Sequence, residues 1–220
     1  METNTIMVFL KYQDRESWCG MELLTHRGSI VFAAKKISQM QGKIREPRWD
    51  EFIVSEFQTR EKFDNVLYNL AKENDIKYYR IVFIDPYSRE KTRSFAKPTS
   101  LTYTDKTIVI LNFLKYHKKT IDASGEKSVG KDAYKKYGRD FIKILEEVGG
   151  RLEYGGKIKS TVVEVNQPFD FTDFTFVRYP SMEKLMEMNR GMKWQTAAKN
   201  RTAGLNDTTV IRVKPYEEFL

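Results

Sequence analysis

"FTDFTFVRYPSMEKLMEMN", Phe171 to Asn189, decides the fold because its pattern occurs twice. Set beneath it, "WDEFIVSEFQTREKFDNVL", Trp49 to Leu67, aligns Phe52 with Phe174. In each copy an acidic residue precedes the phenylalanine and a run of alternating character follows. Thr59 or Ser181 comes next, and then a Glu-Lys pair opens a helical pattern. Alternation reads as strand and three-to-four spacing as helix, so both stretches predict strand, tight turn and helix. Thr59 and Ser181 are placed to accept a hydrogen bond from a free amide of the first helical turn, where Glu61 and Glu183 suit the positive end of the helix dipole. Phe63, Val66, Leu67 and Leu70 mark the apolar face of one helix, and Leu185, Met188 and Met192 that of the other.

The repetition extends outward. "IMVFLKY" at Ile6 to Tyr12 answers "IVILNFLKY" at Ile108 to Tyr116, and "YYRIVFIDPY" at Tyr78 to Tyr87 answers "TTVIRVKPY" at Thr208 to Tyr216. Between first and third strands each copy carries a turn and a further strand: Arg27-Gly28 before "SIVFAAKKI", and Gly149-Gly150 before "RLEYGGKIKSTVVEV". Two β-α-β-β-α-β units result. They differ at the first helix. In the second unit Tyr134, Tyr137, Phe141, Ile144, Leu145 and Val148 form an amphipathic face ended by Gly149. In the first unit the helix, near Ser17 to Thr25, is short. The expected fold class is therefore α+β, with two ferredoxin-like repeats whose antiparallel sheets cover each other as one pseudo-dimeric barrel around a cavity. The units span 1–90 and 106–220, with the polar stretch 91–105 as linker.

Composition narrows the function. The chain has 220 residues, 40% of them apolar and 13% aromatic, which suits a buried core. Its net charge of +8 comes from 38 Lys and Arg against 30 Asp and Glu, mixed along the chain. A lysine-rich solvated surface explains that as well as an acidic partner does. The F-x-F-V-x-Y rhythm of Phe174 to Tyr179 invites comparison with a base-stacking RNA sheet. Asp173 and Thr175 stand where such a strand needs small residues, and Val54 and Glu56 replace the aromatic and basic positions in the other copy, which weighs against nucleic acid. One cysteine, Cys19, allows no internal disulfide, and no transmembrane run or signal segment is apparent, so a cytoplasmic setting without membrane contact is expected. His26 and His117 lie far apart with no partner at ligand spacing, so neither a metal nor another cofactor is expected.

The second unit resembles an uncharacterised bacterial family, the domain-of-unknown-function family 1330 of the dimeric α/β-barrel superfamily. The resemblance rests on "ILNFLKY", "AYKKYG", "EEVGGRLEYGG", "FVRYPSMEKLMEM" and "AAKNRTAGLNDT", and covers nearly all of Lys106 to Pro215. The first unit departs from it, reading Glu56-Phe57-Gln58-Thr59 where the second has Arg178-Tyr179-Pro180-Ser181. The superfamily is a scaffold for cofactor-independent oxygenases, isomerases, haem-handling proteins and ligand-binding modules, so the resemblance implies no one activity.

Candidate residues come from the residues themselves. Alternation puts Phe174, Phe176 and Arg178 on one strand face with Thr175, Val177 and Tyr179 on the other, and Phe52, Val54 and Glu56 on the equivalent face of the first unit. An inward Arg178 would need Glu56 or an anionic ligand as counter-charge; outward, both would be solvated near a strand end. Asn112 interrupts an apolar strand and is read either as orienting a ligand or as satisfying nearby backbone. Tyr134 and Tyr137 are core residues or phenols lining a cavity, and Arg201 at the last helix end serves the dipole or an anion. The leading expectation is a protein that binds a small anionic or carbonyl-bearing molecule inside the barrel, as binder, oxygenase or isomerase. Its alternatives are a nucleic-acid binder using the basic surface and a structural or interaction module with a filled barrel. A homodimer is left open.

Overall fold

The computed structural model describes residues 4–13, 29–42, 49–87, 104, 106–163 and 169–216. The expected first helix near Ser17 to Thr25, Cys19, His26 and nearly all of the linker 91–105 lie outside the described residues.

Elements follow in the order β1 (Asn4–Tyr12), β2 (Ser29–Gln41), β3 (Glu51–Phe57), α1 (Arg60–Lys72), β4 (Ile76–Pro86), β5 (Ile108–Tyr116), β6 (Thr120–Ile121) and β7 (Lys127–Ser128). They continue with α2 (Gly130–Glu147), β8 (Arg151–Val163), β9 (Asp173–Tyr179), α3 (Met182–Arg190), α4 (Met192–Gly204) and β10 (Leu205–Pro215). Eight strands close into an antiparallel barrel in the order β1-β3-β2-β10-β5-β9-β8-β4, β4 returning to β1, while β6 and β7 form a small separate hairpin. Reading around the barrel, β4-β1-β3-β2 and β10-β5-β9-β8 are two runs with the same internal order. The runs join where β10 pairs with β2 and β4 with β8, so no sheet edge is left open among these strands.

Local sequence accounts for the helices. Thr59 accepts from the Lys62 amide at 3.3 Å and Ser181 from the Lys184 amide at 3.2 Å, the caps that the repeated motif requires. Phe63, Val66 and Leu70 of α1 are buried, with Leu67 half-buried beside them. In α2 the expected stripe faces the sheet, and Gly149 after it sits at φ +75, where a residue without Cβ is favoured. One expectation fails at Met192. The chain breaks at Gly191 and restarts as α4, which leaves Met192 82% exposed while Leu185 and Met188 are buried.

Three apolar layers result. Inside the barrel lie Phe9, Phe32, Phe52, Phe113, Phe174 and Phe176, joined by Trp49, Tyr154 and Phe171. Outside, Ile6, Val8, Leu10 and Ile53 pack beneath α1, and Ile108, Ile110, Val177 and Tyr179 pack beneath α2, α3 and α4. Both sheet faces are thus buried, as the near-continuous apolar runs of β1 and β5 require. Aromatic rings occupy the barrel interior in contact with one another, Phe32 and Phe176 at 4.4 Å and Phe9 and Phe52 at 5.5 Å between centroids. The expectation of a ligand cavity at the centre of the barrel is therefore corrected: inward-facing phenylalanines are large enough to fill it.

Candidate functional site

The large cavity lies instead on the outer face of the sheet, under α2. Its floor comes from β5, β8 and β9 through Leu114, Leu152, Thr175 and Val177, and its roof from α2 through Tyr134, Tyr137, Phe141 and Ile142. The end of β4 closes one side with Asp85, Pro86 and Tyr87. The space, open on part of its boundary, is about 1020 Å³, at the upper end of ordinary small-molecule sites.

Two close approaches hold the roof at this height. A Cβ on Gly130, the first residue of α2, would stand 2.5 Å from the carbonyl oxygens of Gly204 and His117, so only glycine lets α2 start against the end of α4. The backbone seals the junction: the Gly130 amide donates to His117 at 3.0 Å, and the His117 amide donates to Gly204 at 3.0 Å. At the other wall, Tyr87 lies across Gly155, whose missing Cβ would meet the ring at 3.1 Å, and the Tyr87 amide donates to the Gly155 carbonyl at 2.9 Å. Gly155 thus clears space for Tyr87, while a Cβ on the neighbouring Gly156 would stand 2.7 Å from the Asp85 carbonyl oxygen.

One polar cluster adjoins the cavity through Lys131 and Tyr87. Asp173, the first residue of β9, is 0% exposed. The Tyr87 hydroxyl donates to it at 2.5 Å, and Lys131 Nζ reaches both its carboxylate oxygens at 3.0 Å. The same ammonium group lies 5.3 Å from the centre of the Tyr116 ring, a cation–π distance. From Tyr116 an aromatic run follows the cavity, through Tyr134 at 5.3 Å and Tyr137 at 5.2 Å to Phe141 at a further 5.2 Å.

These phenols are poor acids. Burial pushes Tyr134 up to about 12, and it raises Tyr137 and Tyr179 as well. Burial raises Tyr87 and Tyr116 too, reinforced by the Asp173 carboxylate, which hydrogen-bonds the first and lies near the second. Charging a buried phenol next to a carboxylate is unfavourable on both counts. All five are neutral at physiological pH and can donate hydrogen bonds. The cavity is consequently rich in donors, with Lys131 and several hydroxyls, and its lining carboxylates sit at the rim, Asp132 paired with Lys135 at 2.7 Å and Asp85 with Lys159 at 3.4 Å. Such a lining can hold and polarise a carbonyl or an anion.

The expected site residues separate into four groups. Tyr134 and Tyr137 line this cavity. Asn112 lies one layer below: it faces the helices and donates to Thr175 Oγ1 at 3.3 Å and to the Ile110 carbonyl at 3.5 Å, so it serves the floor and points away from the barrel interior. Arg201 stands near the same tyrosines and opposes the rise in their pKa values, while its guanidinium donates to Gln41 at 3.5 Å. Arg178 and Glu56 are apart. Arg178 is buried, with Nε 2.9 Å from Glu153, a carboxylate that also takes Arg151 at 2.6 Å, whereas half-buried Glu56 makes no ion pair with it. The expected Arg178–Glu56 counter-charge is thus replaced by Glu153, which sits where β8 slips register between Leu152 and Tyr154. Sequence reasoning missed Asp173, Lys131 and Tyr87. Their signal was an acidic residue on the outward positions of an apolar strand in both copies, Glu51 and Asp173, and a tyrosine after the Pro of each last strand.

No family model and no curated protein matches the chain. Solved structures do. A candidate monooxygenase from Lactobacillus acidophilus has 7% identity and a TM-score of 0.51, over 98% of this chain and 94% of its own. An anthrone oxidase-like protein has 8% identity and a TM-score of 0.50, over 100% of this chain and 96% of its own. The likeness is one of fold alone. It places the chain's architecture with the dimeric α/β barrels. A protein of unknown function from Rhodopseudomonas palustris is 25% identical over 55% of this chain and 96% of its own, with a TM-score of 0.47. Among the described residues no helix is long and apolar enough to cross a membrane, and no group of three or more His, Cys, Asp or Glu is placed to hold a metal ion.

Proposed function

We propose that the protein binds a small molecule with an apolar, flat body and a carbonyl or anionic group in the cavity beneath α2. In this reading the chain is built from two ferredoxin-like repeats, 1–90 and 106–220, of which the second, the part resembling family 1330, carries the site. The observation that supports it best is the pairing of an aromatic wall, Tyr134 to Phe141, with a polar cluster in which Lys131 and Tyr87 engage buried Asp173. Lys131 and Tyr116 would take the acceptor group, while Leu114, Leu152 and Val177 would take the body. Binding is better supported than catalysis, because the carboxylates lining the cavity are at its rim and engaged by lysines. A cofactor-independent oxygenase or isomerase needs only the same polarising donors, so it stays within this reading. The filled barrel favours a purely structural role for the interior itself.

The test uses 8-anilinonaphthalene-1-sulfonate, an aromatic anion of the right chemistry, followed by its fluorescence on the full chain. Saturable binding at one site is expected. Leu152→Trp, which fills the floor, should abolish it, and Lys131→Met should weaken it about tenfold or more, the scale of a hydrogen bond to a charged group. Equal binding by the wild type and a folded Leu152→Trp protein would remove the cavity as the site.

A further inference from the structure

One polar pair in the cavity floor is not needed by the fold. Asn112 on β5 and Thr175 on β9 face each other directly in register. At the corresponding place in the other run of four strands, Val8 on β1 faces Ile53 on β3, both 0% exposed beneath α1. The same architecture is therefore built with an apolar pair there, and amide and hydroxyl stand on the side that carries the large cavity. Thr175 lines that cavity, whereas Asn112 supports it from below.

Hydrogen bonding fixes what Thr175 can offer. The Asn112 amide nitrogen reaches the Ile110 carbonyl at 3.5 Å and Thr175 Oγ1 at 3.3 Å. Turned the other way, the amide would set its oxygen against the Ile110 carbonyl oxygen, so the nitrogen is the atom that faces both. An amide nitrogen only donates, so Thr175 Oγ1 is the acceptor and its own proton must be used elsewhere. On the other side of β9 its register partner is Gly155, which has no side chain to receive that proton. Thr175 makes no other hydrogen bond among the described residues. It is half-buried, and its hydroxyl proton is left for the cavity.

Position along β9 tells which part of a ligand meets it. Asp173, Thr175 and Val177 follow one another on the outward face, so Thr175 stands about 7 Å along the strand from Asp173. It lies between that polar cluster and the apolar floor, where Val177 pairs with Leu152. A neutral donor beside apolar groups suits a neutral acceptor on the ligand's body, distinct from the group near Lys131.

We propose that Thr175 determines the specificity of this cavity, donating to a carbonyl oxygen carried on the ligand's flat body, with Asn112 as its positioning residue. This role rests on the reading that the cavity beneath α2 is the binding site. A site built to hydrogen-bond an oxygen disfavours the same body without it, because the hydroxyl is then left unpaired.

Isothermal titration calorimetry of the full chain with two rigid, flat compounds tests it: fluorene-2-carboxylate and its ketone, 9-oxofluorene-2-carboxylate. The acid is common to both and cancels in the comparison. The wild type should prefer the ketone by about fivefold, the scale of one neutral hydrogen bond. Thr175→Val should bring the two to about equal affinity, and Thr175→Ser should keep the preference. Asn112→Val, which copies the Val8 side, frees the hydroxyl to turn and should lower the preference to about twofold with both compounds still bound. Equal affinity of the two compounds for the wild type, or a preference that survives Thr175→Val, would overturn the proposal and leave the cavity as the site. Binding of both by a folded Leu152→Trp protein, or of neither by the wild type, would remove the cavity itself and with it the role of Thr175.

Discussion

Phe9 and Phe113 stack at the centre of the barrel, ring centroids 5.5 Å apart and planes 28° from parallel. They stand on β1 and β5, at corresponding places in the two runs of four strands. Each is buried, and Phe52 and Phe169 pack around the pair, Phe113 lying 5.2 Å from Phe169. A barrel whose opposite strands meet ring on ring has little room for a ligand at its middle. Phe113→Ala should cost about 3–5 kcal/mol, the usual range for a core phenylalanine, because close neighbours on several sides limit collapse into the hole. Denaturant unfolding measures the loss. A change below about 1 kcal/mol, within the range of volume-conserving core swaps, would show that the interior repacks freely.

Arg178 gives the second prediction. Its side chain and that of Glu153 are both 4% exposed, and their contact is 2.9 Å. Removing one member of a buried ion pair commonly costs about 3–5 kcal/mol, and Arg151 remaining on the same carboxylate should keep Arg178→Met at the lower end. Dye binding beneath α2 should be unchanged, since Arg178 does not line that cavity. A variant of wild-type stability that had lost the dye would reverse both statements and restore Arg178 as a ligand residue.

The features legible in the sequence are local ones. The caps at Thr59 and Ser181, the stripe of α2 and the alternation of β9 each depend on a few neighbouring residues, and each is found as expected. Which face of β9 looks inward was not legible, because Phe174 and Phe176 on one side and Val177 and Tyr179 on the other are equally apolar. The cavity was misplaced because bulky phenylalanines on the inward face fill the barrel, though Tyr134 and Tyr137 were found. Glu153 escaped because the register slip beside it breaks the alternation that reading relied on. Tyr87 escaped because it reaches Asp173 from a strand 86 residues earlier, a pairing set by closure of the barrel.

Glu51 gives the last prediction, and it concerns pH. At the start of β3 it occupies the place that Asp173 has in β9; it is 0% exposed and accepts from the hydroxyls of Tyr12 and Tyr216. Burial raises its pKa above the ordinary 4.5 and prevails over those two hydrogen bonds and Lys35, which pull it down. The folded protein thus holds this proton more tightly than the unfolded chain. The stability so gained is full below the unfolded pKa and is lost as pH rises through the higher folded value. Asp122 works in the opposite sense: Lys136 holds its carboxyl well below the usual range, so its contribution is present at neutral pH and lost on strong acidification. Glu51→Gln keeps the shape and removes the charge. Its stability relative to the wild type should therefore improve as pH rises above the ordinary 4.5 and level off once the folded carboxyl has ionised, read by denaturant unfolding at each pH up to and beyond neutrality. A constant difference across that range would mean that Glu51 ionises as easily folded as unfolded, and that the two tyrosines fully replace the water it has lost.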